Sequence, residues 1–114
     1  MADELLHIIL MEEAREFLHS LPEAAREKVY YNIGKIRLGF RDAELFKKLE
    51  NSEIWEFRTR FSGLSYRLFA FWDTEAEALI VATHGIIKKT QKTPPKEIAK
   101  AEKARKHYFE VKRK

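Results

Sequence analysis

The sequence predicts an α+β domain, with two N-terminal helices and one C-terminal helix around a mainly antiparallel sheet, in the order β-α-α-β-β-β-α. Three observations carry this prediction. Apolar residues recur at helical spacing between residues 12 and 40. From residue 54 the repeat shortens to two, the period of a strand whose side chains alternate between faces. Beyond residue 93 helical spacing returns behind a Thr-Pro-Pro start signal. With 114 residues, 45% of them hydrophobic, the chain supports one core, so residues 1–114 form a single domain. The plan gathers the helices on one side of the sheet.

Leu5 to Met11 is a short apolar run, suited to a strand buried on both faces. Glu12 to His19 then carries Ala14, Phe17, Leu18 and Leu21 on one helical stripe. Ser20-Leu21-Pro22-Glu23 reads as a capping box, with Ser20 capping and Glu23 reaching back to it. The second helix presents Ala25, Val29, Ile33, Ile36 and Phe40 for burial, and Gly39 stands where it should stop. In residues 54–61, Trp55, Phe57 and Phe61 alternate with Glu56, Arg58 and Arg60. Ser62-Gly63 supplies a turn, Tyr66 to Trp72 a second strand, Asp73-Thr74-Glu75 another turn, and Ala78 to His84 a third strand. Gly85 to Thr93 is a polar, lysine-rich connection. Thr93 is positioned to cap the last helix with Pro94 as its first residue, and Ile98, Ala101, Arg105 and Phe109 form its stripe.

The chain contains no cysteine, which excludes disulfides and thiolate metal sites and is compatible with a reducing cytoplasm. No run approaches the roughly 20 apolar residues of a membrane span, and the opening Met-Ala-Asp-Glu is acidic where a secretory leader is basic. The net charge of +4 is unevenly spread. Residues 1–83 carry 11 Lys/Arg against 15 Asp/Glu, whereas residues 84–114 carry 11 against three, making that last quarter +8. Such an end fits a polyanionic partner, because neutralising phosphates releases counterions. It also fits a solvated, lysine-rich helix.

Two segments could carry chemistry. On the Glu56/Arg58/Arg60 face, two neighbouring arginines repel each other unless phosphates or acidic groups lie over them. That face is either a phosphate-binding surface, joined by Arg67 of the next strand, or a solvated face held by Glu56–Arg bridges. The second segment is His84-Gly85-Ile86-Ile87-Lys88-Lys89-Thr90-Gln91-Lys92-Thr93-Pro94-Pro95. Its lysines, hydroxyl and amide are typical phosphate ligands, and Gly85 permits a sharp exit from the strand. His84, at the mouth of that loop, is either a proton-transfer group near neutral pH or a packed structural histidine. His7 in the first strand, His19 at a helix end and His107 on the last helix are weaker candidates. Phe69, Phe71 and Trp72 read as packing groups more than as a base-stacking platform. No metal-ligand spacing, glycine-rich nucleotide loop or Ser/His/Asp arrangement is legible.

Taken together, Trp55-Glu56-Phe57-Arg58-Thr59-Arg60, Tyr66-Arg67-Leu68-Phe69, the His84–Pro94 string and Glu97-Ile98-Ala99-Lys100-Ala101 resemble the phage-derived, HigB-like branch of the RelE toxin superfamily. The resemblance spans essentially the whole chain, and the lysine loop is its most specific part. Ile86 departs from the branch, which often has phenylalanine there. The resemblance implies a RelE-like microbial RNase fold and a cytoplasmic, metal-independent endoribonuclease without cofactor. It implies mRNA and the ribosome as partners, with a cognate protein antitoxin, encoded nearby and potentially of helix-turn-helix type, as inhibitor. The implied chemistry is attack of a ribose 2′-OH on the adjacent phosphate, releasing a 5′-OH end.

By the same resemblance Arg67 contacts the scissile phosphate; as an exposed charge on a sheet face, it would contribute little to folding. Arg58 and Arg60 assist it, and Lys88 lies near the phosphate. Lys89, Lys92, Thr90, Gln91 and Tyr66 bind RNA, and Glu56 or His84 moves the proton. A non-catalytic nucleic-acid-binding regulator of the same fold, or an interaction protein whose basic helix docks an acidic partner, would use the same charges without cleavage.

Overall fold

A computed structural model describes residues 5–89 and 92–113. Strand β1 (His7–Leu10) leads into helices α1 (Glu12–Ser20) and α2 (Glu23–Arg37). Strands β2 (Phe46–Lys48), β3 (Trp55–Phe61), β4 (Leu64–Trp72) and β5 (Leu79–Lys88) follow, and helix α3 (Pro95–Lys112) ends the chain. The sheet order is β1-β5-β4-β3-β2, antiparallel except for the parallel β1–β5 pair. The α+β class with its three helices is therefore present, with one further strand. Strand β2 escaped the sequence pattern because three residues with two lysines show no alternation; Phe46 anchors it by stacking on Trp55 and Phe57.

The helices do not gather on one side. Leu68 and Ala70 of β4 pack with Ala14, Leu18, Val29 and Ile33 of α1 and α2. Phe69 and Phe71 point the opposite way and pack with Ala101 and Phe109 of α3. The sheet is thus sandwiched, and β4 is buried on both faces because it lies at the centre of the order. β1 is instead an edge strand: Leu6, Ile8 and Leu10 pack on the helix pair, while His7 and Ile9 are exposed.

Helix boundaries also moved. Ser20 donates to the Phe17 carbonyl, and α2 starts after Pro22 without a side-chain cap. Its other end closes with Phe40 N–H donating to Lys35 O and Gly39 N–H to Ile36 O, a Schellman motif for which Gly39 adopts φ +92°. Phe40 therefore lies beyond the helix and is exposed. Gly85 has a different purpose from a strand exit, since β5 runs on to Lys88. A Cβ there would stand 2.3 Å from the Phe17 ring, so the missing side chain lets α1 approach the sheet.

One irregularity builds the site. Phe69 pairs with His84, but Ala70 pairs with Ala82, leaving Thr83 as an extra residue in β5. Val81 faces α3, so strict alternation would send residues 84, 86 and 88 towards the helix pair. The bulge reverses this. Ile86 and Lys88 now register with Arg67 and Ser65 and share their face.

Candidate active site

Strand register brings the basic residues together. Arg58 lies directly opposite Arg67, and Lys88 opposite Ser65, a diagonal neighbour of Arg67 across the β4–β5 ladder. At the centre is Glu56, only 2% exposed. Its Oε1 accepts from Arg67 Nη1 and lies 3.4 Å from Arg58 Nε. Its Oε2 accepts the Thr93 hydroxyl at 2.9 Å. Thr93 is therefore no helix cap: α3 begins at Pro95 and lacks a side-chain cap. That hydroxyl instead ties the approach to α3 onto the carboxylate.

Lys88 is 8% exposed, and its Nζ makes no hydrogen bond to the described residues. Burial, then the Arg67 charge, pushes its ammonium below the ordinary lysine range; Arg58 adds to the effect and Glu56 opposes it. Three cations thus share one carboxylate, and the excess charge suits an incoming phosphate oxygen. A cleft of about 550 Å³ opens beside them. Arg58, Arg60 and Arg67 line one side of it, and Lys28, Asn32 and Lys35 of α2 line the other. Asn32 Nδ2 donates to Thr59 Oγ1 at 3.0 Å, which fixes α2 against β3.

The sequence candidates separate into groups. Glu56, Arg58, Arg67 and Lys88 come together, and Arg60 is exposed and lines the cleft. Arg67 is not exposed; at 2% accessibility, paired with Glu56, it is part of the folded interior. Tyr66 is removed from the RNA-binding set. It points to the opposite face, 5% exposed in the α1/α2 core, because neighbours on a strand alternate.

His84 is held elsewhere, inside β5 and not at a loop mouth. Its Nδ1 lies 2.8 Å from Thr83 Oγ1 and its Nε2 3.0 Å from Glu97 Oε1 on α3. Burial lowers its pKa, a trend the Glu97 hydrogen bond partly offsets. Both ring nitrogens are engaged beneath α3, outside the arginine cleft. Lys89 and Lys92 are exposed, while Thr90 and Gln91 lie outside the described residues. Sequence reasoning missed Thr93 as a Glu56 ligand and the α2 wall. The signal for that wall was present, since Lys28, Asn32 and Lys35 recur at i, i+4 and i+7 on one helix face.

The fold is that of RelE toxins. The structure of an Escherichia coli RelE toxin mutant in the free state superposes with a TM-score of 0.62 at 16% identity, covering 89% of this chain and 97% of that one. The Mycobacterium tuberculosis toxin–antitoxin complex RelBE2 gives a TM-score of 0.50 at 19% identity, covering 77% of this chain and 100% of the matched one. No curated protein matches the chain. The family model described as phage-derived protein Gp49-like matches residues 16–106. The chain belongs to this Gp49-like family, a RelE/HigB-like toxin family.

Proposed function

We propose that the chain is the toxin of a type II toxin–antitoxin pair, an endoribonuclease that cuts mRNA on the ribosome. The observation that carries this reading is the convergence of Arg58, Arg67 and Lys88 around one buried carboxylate beside an open basic cleft. Such a cluster suits a pentavalent phosphorane, whose extra negative charge needs cations already fixed in place. The RelBE2 match, itself a toxin–antitoxin complex, supports a protein antitoxin as partner.

In this reading Arg67 and Arg58 grip the equatorial phosphate oxygens, and Glu56 holds both guanidiniums in position. Lys88 moves the proton. A buried amine with a lowered pKa exchanges a proton nearer neutral pH than an exposed lysine does. It can accept the 2′ proton or protonate the leaving 5′ oxygen. His84 takes no part, since Thr83 and Glu97 engage both of its nitrogens.

The test is induction in bacteria, alone and with the adjacent small gene, with mapping of mRNA 5′ ends. The reading expects growth arrest and new 5′-OH ends that the second gene suppresses. Normal growth despite folded, soluble protein contradicts it. The deep burial of the Glu56–Arg67 pair favours one other reading, a non-catalytic nucleic-acid-binding regulator. That reading expects RNA binding with no new ends.

A further inference from the structure

The exposed face of α2 bears a feature that the phosphate cluster does not use. Tyr31 is 59% exposed, far more than a tyrosine serving the core. Two ammonium groups flank its ring, Lys28 Nζ at 5.5 Å and Lys35 Nζ at 4.9 Å from the centroid. Both lysines also line the arginine cleft. The three residues form a stripe at i, i+3 and i+7, about 10 Å long at the helical rise per residue.

The stripe is held at a set place relative to the cluster. Asn32, the residue after Tyr31, is buried and donates to Thr59, which sits between Arg58 and Arg60 on β3. The aromatic ring itself lies just outside the cleft, in a shallow depression with Gly34, Lys35, Arg37, Leu38 and Phe40, and Lys35, which lines both, joins it to the arginine side.

We propose that this stripe is a single-stranded RNA subsite, in which Tyr31 stacks on one unpaired base while Lys28 and Lys35 hold the adjoining phosphates. The inference rests on the ribonuclease reading and extends it to a path for substrate leaving the phosphate cluster across α2. An exposed ring offers a π-face to any base, so the subsite binds without reading sequence. Charge complementarity selects the occupant. The cleft wall presents Lys28, Lys35, Arg58 and Arg60 against Asp42 and Glu44, a balance that favours a polyanion. A base-paired strand does not fit, because its bases are already stacked.

The test uses the full-length chain and a fluorescein-labelled, 2′-O-methyl single-stranded RNA of 12 nucleotides, which cannot be cleaved by 2′-OH attack. Binding is followed by anisotropy at low salt. Tyr31→Ala should weaken binding about 5- to 150-fold, the range for losing one stacked base, and Tyr31→Phe should retain it. Removing Lys28 and Lys35 should reduce the log–log salt slope by about 0.7 per lysine. The duplex of the same sequence should bind the wild type and Tyr31→Ala equally. Thermal melts confirm folding, which an exposed ring on a helix surface barely affects.

Wild-type affinity in folded Tyr31→Ala overturns the subsite, even where the wild type cleaves mRNA. Tyr31-dependent binding by a chain that generates no new mRNA ends keeps the subsite and removes the ribonuclease reading. Absence of RNA binding, with antitoxin binding lost in Lys28→Glu/Lys35→Glu, overturns the subsite in favour of an acidic protein partner.

Discussion

At the level of single residues, the site places stability and chemistry in opposition at Lys88. A buried ammonium without a hydrogen bond to the described residues, beside Arg67 and Arg58, destabilises the fold. Because its folded pKa is depressed, stability attributable to Lys88 rises as pH climbs towards the ordinary lysine value of 10.5, where the unfolded chain loses the same proton. Lys88→Met should therefore raise the melting temperature at neutral pH while removing cleavage. A drop in melting temperature would show that the amine is held by the fold, not imposed on it. Arg67 behaves oppositely. Removing it takes away the cation nearest the buried Glu56 carboxylate and leaves it to Arg58 and Thr93, so Arg67→Ala should cost about 3–5 kcal/mol by denaturant titration. Arg67→Lys should keep more of the stability yet lose about 10²–10³ in cleavage, because an ammonium cannot form a two-pronged grip. An Arg67→Ala protein as stable as the wild type would contradict the buried ion pair.

At the level of elements, α3 matters because it covers one face of the sheet and is tied down along its length. Near its start Thr93 binds Glu56, and Glu97 in its first turn binds His84. At its end the buried Asp73 carboxylate accepts Tyr108 Oη and Lys112 Nζ, each at 2.7 Å, and the Glu75 N–H at 2.8 Å. Burial opposes the Asp73 charge, but the hydrogen bonds from Lys112, Tyr108 and Glu75 outweigh it and hold the carboxyl below its usual value. A carboxyl depressed in the folded state contributes stability that is present above the unfolded value of 3.8 and lost as pH falls through the folded one. Asp73→Asn should therefore flatten the loss of stability below about pH 4 and lower stability at pH 7. An unchanged acid limb in denaturation curves would remove Asp73 from this role.

The elements also show what a sequence pattern can carry. The β3 alternation made Glu56, Arg58 and Arg60 legible as one face, and the Tyr-Arg strand brought in Arg67. Tyr66 was misplaced by giving adjacent residues one role, although a strand sends them to opposite faces. The lone extra residue at Thr83 was invisible, because a bulge exists only relative to a partner strand. It decides the faces of His84 and Lys88, so the split between a structural histidine and a site lysine could not be read beforehand. The burial of Arg67 was hidden for a similar reason, since it depends on pairing with Glu56 of another strand, which Thr93 holds from distant sequence.

Across the whole molecule, charge is segregated as the sequence implied, with residues 84–114 at +8 against an acidic remainder. Among the described residues no helix is long and apolar enough to cross a membrane, and the cationic quarter forms the end of β5, the lysine connection and α3. If this end meets RNA, affinity should fall steeply with salt, by about 0.7 in log–log slope for each single-strand phosphate engaged. A flat dependence between 50 and 200 mM salt, roughly the range over which such contacts are lost, would assign the positive end to solvation alone.

On this reading the Arg58/Arg67/Lys88 cluster around Glu56 is a ribonuclease centre. Single-turnover cleavage of mRNA on programmed ribosomes, with wild type and Lys88→Met compared beside their thermal melts, tests it most directly. The wild type should cleave to a 5′-OH product, and Lys88→Met should melt higher and fail to cut. Cleavage at the wild-type rate by folded Lys88→Met would contradict it.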